Sequence, residues 1–167
     1  MRFVPSALFA SALLIAGASQ AAVSSVDVTI GPRLQAKVAT LGQRDLDDLA
    51  ATLRSTVEDQ LRRDGQFNTS SDGDHIRLVI EDAKPNRPTS GQIDHNQALS
   101  LRSLGVGGAE VSGTRTTASG TQNVIHEKWF ETDIRNERGA AVTTWSDAEW
   151  VFDKVARDLA KQQLANR

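Results

Sequence analysis

The stretch SLGVGGAEVSG, Ser103–Gly113, carries four glycines in eleven residues, and its reading decides the fold. As a phosphate-cradling loop it would open a helix at the switch point of a parallel α/β sheet. The dinucleotide fingerprint begun by Gly105 and Gly107 needs its third glycine at position 110, which is Glu110, and no Gly-Lys-Ser or Gly-Lys-Thr comes after it. A helix must also come next, so that its first amides meet the phosphate. Ala109, Val111 and Gly113 instead alternate with Glu110, Ser112 and Thr114, the period of a strand. Gly107 and Gly108 are therefore assigned to backbone geometry at a strand entrance, where a bulge or a close crossing leaves no space for a Cβ.

Working outward, the turn at ASGT (118–121) leads into a second strand, NVIHEKWFETDI (123–134). Ile125, Glu127, Trp129 and Glu131 fall on one of its faces and Val124, His126, Lys128 and Phe130 on the other, so neither face is cleanly apolar. Two earlier strands alternate through Val26, Val28 and Ile30 and through Ile76, Leu78 and Ile80. RLQAKVATLG (33–42) reads as an extra edge strand. Leu46, Leu49, Leu53, Val57 and Leu61 recur at helical spacing, with Asp45 as the N-cap and Gly65 as the left-handed end. A last helix carries Ala148, Phe152, Val155 and Leu159 on one stripe. Ser146 and Glu149 are spaced as its capping box, and Trp145 and Trp150 as a hydrophobic staple. The order β-α-β-β-β-α predicts an α+β fold, an antiparallel or mixed sheet of about four strands with two helices packed on one face.

The N-terminus reads as an export signal. Arg2 precedes the apolar run Ala7–Ile15 and small residues extend to Ala22, so residues 1–21 are expected to be a cleaved signal peptide and 22–167 a single domain. The run is too short for a membrane anchor, and without cysteine the chain has neither a lipid attachment point nor disulfides. The expected location is periplasmic, with no stable membrane insertion after cleavage. Past the signal, 18 basic residues face 21 acidic ones, a balance that argues against nucleic acid as a partner.

Motifs for chemistry start and then fail. Asn68, Ser70, Asp72 and Gly73 imitate a calcium loop whose twelfth position, Val79, cannot ligate. His126 and Glu127 open a zinc-peptidase motif that Phe130 ends. Three scattered histidines, His75, His95 and His126, have no cysteine to join them. No catalytic residue, metal or cofactor is assigned. One segment is not accounted for by periodicity: AKPNRPTSGQIDHNQALSLRSL (83–104), a connection of the length that is usually functional or disordered. Its Arg87, Gln92, His95 and Arg102 are the candidate ligand- or partner-binding residues. Because closure entropy grows by only about 0.6 kcal/mol per doubling of loop length, shortening this loop is expected to change stability little.

NRPTSGQ (86–92), SLGVGGAEVSG (103–113), WFETDIRN (129–136) and TWSDAEWVFDKVARDLAK (144–161) together resemble an uncharacterised family of small exported proteobacterial proteins. That family is similar in layout to α+β domains of envelope lipoproteins of unknown function, and the resemblance implies a periplasmic location and no established activity. The function expected is a non-catalytic periplasmic interaction or assembly module of the cell envelope, holding an envelope protein through a sheet edge or the long loop. The alternatives are a small envelope enzyme, with His95 and His126 as acid and base, and a carrier of a small anionic ligand in a cleft under the 83–104 loop.

Overall fold

The computed structural model describes residues 22–69, 73–117, 120–136 and 142–165. Residues 1–21, the middle of the imitated calcium loop (70–72) and the hairpin turn at 118–119 lie outside them. Four strands, β1 (Val23–Ile30), β2 (Asp74–Lys84), β3 (Gly108–Thr117) and β4 (Gly120–Phe130), form one sheet in the order β1-β2-β3-β4. β1 runs parallel to β2, and the β2–β3 and β3–β4 pairs are antiparallel. The class is α+β with a mixed sheet.

Between the parallel strands lie α1 (Pro32–Gln35), α2 (Val38–Leu41) and α3 (Gln43–Arg63). The segment expected as an edge strand is thus two single-turn helices. Pro32 sits in the first turn of α1, where its missing N–H costs nothing. Leu34, Val38 and Leu41 fall at i, i+4 and i+7, the helical rather than the strand period, and Leu34 and Leu41 are buried. Gly42, not Asp45, is the N-cap of α3; Asp45 lies in the first turn. At the other end, the Gln66 amide bonds to Leu61 O (2.8 Å) and that of Gly65 to Arg62 O (3.1 Å). With Gly65 at φ +65°, this is a Schellman ending.

The helical stripes and the sheet form one core. Leu46, Leu49, Leu53, Val57 and Leu61 of α3 and Ala148, Val151, Phe152, Val155 and Leu159 of α5 (Ser146–Ala165) are buried together with Val26, Val28, Ile76, Leu78, Ile80 and Val111. Each large aliphatic burial stabilises by roughly 1.5–3 kcal/mol. β4 turns Ile125, Glu127 and Trp129 toward the helices. Ile125 is buried, Glu127 pairs with Lys154 of α5, and the Trp129 ring lies 4.9 Å from that of Trp150. Trp145 is buried, while Trp150 keeps 48% of its surface exposed.

The long loop is tied into this core. It contains α4 (Ser90–His95), opened by a Thr89–Gln92 capping box. Ahead of α4, Asn86 is 1% exposed. Its Oδ1 accepts from the Asp147 amide at 2.9 Å, capping the first turn of α5, and its Nδ2 donates to Asp147 Oδ2 at 2.7 Å. The same Oδ2 accepts from the Gly107 amide at 2.8 Å. The Asn86 amide donates to Thr144 O and its carbonyl accepts from Gly105 N. A Cβ on Gly107 would lie 2.4 Å from Asn86 Oδ1, and one on Gly108, at φ +144°, 2.3 Å from Trp129 O. The two glycines therefore allow a backbone crossing at the entrance of β3. Ser146 Oγ accepts from the Thr143 amide (2.6 Å), and Thr143 Oγ1 donates to Glu149 (3.3 Å).

These bonds overturn the expectation that the loop can be shortened without cost, because entropy of closure counts for less than loss of a buried helix cap. Asn86→Ala is expected to destabilise by about 2–3 kcal/mol and Asp147→Ala by a similar amount. The double variant should lose at least about 1 kcal/mol less than the sum. Urea melts of the four proteins measure this, and strictly additive losses would contradict the clamp.

Candidate functional site

Both long helices pack on one face of the sheet, so alternation delivers a second set of side chains to the opposite face. β1 contributes Asp27 and Thr29, β2 His75, Arg77 and Val79, β3 Glu110, Ser112 and Thr114, and β4 His126 and Lys128. Register sets their neighbours: Asp27 lies beside Arg77 and Arg77 beside Thr114, while Thr29, Val79, Ser112 and His126 form the next row. Asp27, Thr29, His75, Arg77, His126 and Lys128 are exposed. A bulge between Ile80 and Asp82 brings two successive carboxylates to this face. Glu81 accepts from the Ser112 hydroxyl at 2.6 Å, and Asp82 lies opposite Glu110 and pairs with Lys37.

Glu110 is the centre of the bulged end. It is 6% exposed, beneath three half-exposed basic groups: Arg33 Nη2 at 2.9 Å and Lys128 Nζ at 3.1 Å from Oε2, and His126 Nε2 at 3.3 Å from Oε1. At Oε2 the contacts are ion pairs by distance without hydrogen-bond alignment. Burial alone pushes the Glu110 carboxyl up; Lys128 and Arg33 more than offset it and hold the group below the ordinary carboxylate range. The carboxylate is thus favoured in its charged form, which suits a structural anchor better than a proton carrier.

Further along the face is a groove of about 470 Å³ lined by Asp27, Thr29, Arg54 of α3, Arg77, Val79 and Thr114. Its volume lies within the roughly 300–1,000 Å³ of ligand clefts. Ser112 and His126 are directly opposite one another. The serine hydroxyl bonds to Glu81 and the imidazole Nε2 faces Glu110, so the two turn to different carboxylates and no nucleophile–base pair is assembled.

The residues singled out in the sequence lie elsewhere. Arg87 braces the loop, donating through Nε to Val142 O and through Nη1 to Leu101 O (3.1 Å). Gln92 completes the α4 capping box. His95 is exposed, with Nδ1 2.7 Å from Gly91 O, and Arg102 is exposed. Arg87 and Gln92 share a pocket of about 190 Å³ with Pro85, Pro88, Leu99 and Leu104; His95 and Arg102 are not part of it. That space is smaller than a typical ligand cleft. His126, on the sheet, and His95, in α4, occupy separate elements with separate partners. Among the described residues no His, Cys, Asp and Glu side chains are grouped to hold a metal ion. Arg54, Arg77 and Glu110 escape sequence reasoning; the polar half of each strand's alternation carries Arg77 and Glu110, whereas nothing in the helical stripe marks Arg54.

No family model matches the chain, and no curated protein does. Among solved structures, a minor lipoprotein from Acinetobacter baumannii, determined at 2.35 Å, covers 86% of this chain and 94% of its own at 14% identity and a TM-score of 0.33. The likeness is loose. No described helix is long and apolar enough to cross a membrane.

The ionisation pattern sets the acid stability. Glu110, through Lys128 and Arg33 against its burial, and Asp158, through Lys154 and Lys161 against its burial, have lowered folded-state pKa values. Their stabilisation is complete above the unfolded value of about 4 and is lost as pH falls through the lower folded value. Asp45 works the other way, raised first by burial and then by Asp48. Glu110→Gln should flatten the fall in stability between about pH 4.5 and 2 by up to one proton's slope. An unchanged slope in urea melts across that window would contradict the assignment.

Proposed function

We propose that this chain is a non-catalytic interaction module of the cell envelope that meets its partner with the uncovered face of its sheet. The observation that carries the reading is that α3 and α5 cover one face and leave the other exposed. That other face holds the charged cluster around Glu110 and the adjoining groove. A surface of mixed charges with an apolar floor selects a partner by complementarity. The clamped loop favours the sheet face over the loop as the contact surface, and the separate commitments of Ser112 and His126 favour binding over catalysis. The envelope location rests on the export signature of residues 1–21 and on the sequence resemblance to small exported proteins.

A photo-crosslinking residue at Thr114, on the face, is compared with one at Ser55, exposed on α3, and one at Leu101, exposed on the loop. In periplasm, position 114 should capture a single envelope protein that excess unlabelled chain displaces and that Lys128→Glu abolishes. Positions 55 and 101 should not capture it. The recovered chain should begin close to Ala22 by intact mass. Capture from position 101 alone would move the site to the loop, and an uncleaved membrane-bound chain would remove the periplasmic reading.

A further inference from the structure

The basic groups on the uncovered face divide into two kinds. Arg33, Lys37 and Lys128 each hold a carboxylate. Arg54 and Arg77 both line the groove, and their guanidinium groups make no ion pair or hydrogen bond among the described residues. Arg77 projects from the middle of β2 between Asp27 and Thr114. Arg54 comes from α3, which packs along β1. Val79, half-buried on the same face, adds an apolar side chain to the lining. Two guanidinium forks beside the hydroxyls of Thr29 and Thr114 match the oxygens of a phosphate or carboxylate, which such forks bind bidentately.

The acidic neighbours refine the ligand. Glu81 is occupied by the Ser112 hydroxyl and Glu110 by its three basic groups, so Asp27 is the carboxylate that lines the groove. Two guanidinium groups against one carboxylate leave a single excess positive charge, and Asp27 offers an acceptor for a donor group on the same ligand.

We infer that the groove binds a small molecule or headgroup carrying one phosphate or carboxylate with a hydroxyl or amine beside it. Arg77 and Arg54 hold the anionic group and Asp27 accepts from its neighbour. This deepens the reading of the uncovered face as the contact surface and rests on it.

The test is an NMR titration of the exported chain with glycerol phosphate, with inorganic phosphate and with sodium chloride at matched ionic strength. Saturable shifts should appear at residues 27–29, 77–79 and 112–114 and at the Nε groups of Arg54 and Arg77, with glycerol phosphate tighter than phosphate. Arg54→Gln and Arg77→Gln should each weaken binding about tenfold, while Arg102→Gln, on the exposed loop, leaves it unchanged. Asp27→Asn should remove the advantage of glycerol phosphate over phosphate. Spectral dispersion confirms that each variant is folded, and Arg77→Lys, which keeps the charge without the fork, should bind with intermediate strength.

Shifts that match chloride, or that survive both arginine variants, would overturn the proposal. Co-sedimentation with phosphatidylglycerol but not phosphatidylcholine vesicles, lost in Arg77→Gln, identifies the source of the group as a lipid headgroup. Soluble binding without co-sedimentation identifies it as a free molecule, and either result carries the proposal. Because the titration uses the chain alone, its failure is separate from a failure to capture a protein partner at Thr114.

Discussion

The carboxylate of Asp147 fixes where three separate segments meet. It accepts from Asn86 in the loop and from Gly107 at the entrance of β3 while its own amide, in the first turn of α5, is capped by Asn86. Asn86 is 1% exposed and Asp147 half-buried, and a buried polar group left without a partner costs more than a solvated one. Held at its first turn, α5 lies along β3 and β4, inserting Phe152 and Val155 into the core and placing Lys154 on Glu127. With α3 beside it, one sheet face is closed, and every strand then turns its alternate side chains to the other.

Periodicity makes most of this frame legible. Val26, Val28 and Ile30, Ile76, Leu78 and Ile80, and the leucine stripe of α3 each repeat at the period of their element, and burial tracks the same positions. The segment 33–42 misleads because it is short, and the helical spacing of Leu34, Val38 and Leu41 covers barely two turns. Asp45 misleads because a good capping residue lies close to the helix start, yet Gly42 already supplies the non-helical backbone. The partners of Asn86 are not legible at all. Asp147, which its side chain caps, lies 61 residues away, and no local pattern encodes which loop amide will meet which helix terminus.

The candidate site is hidden for a related reason. Strand alternation announces a polar face but not which charges converge on it. Glu110 gains Arg33 from a helix in a segment that reads as a strand, and it gains Lys128 and His126 through cross-strand register. The bulge at Glu81 adds an acidic pair that strict alternation would have split between the faces. The result is a face in two parts, one with charges internally matched and one whose Arg54 and Arg77 form no ion pair or hydrogen bond among the described residues. The loop residues Arg87 and Gln92 direct hydrogen bonds to the chain itself.

Native-state hydrogen exchange across a denaturant series tests the clamp most directly, because it reads each amide separately. The amides of Gly107 and Asp147 should exchange only through global unfolding, with the same protection free energy and denaturant dependence as that of Leu78 in the core. Exchange of these two amides through a local opening, while β2 and α5 stay protected, would show that the loop is not part of the fold. The assignment of function to the sheet face over the loop would then lose its basis.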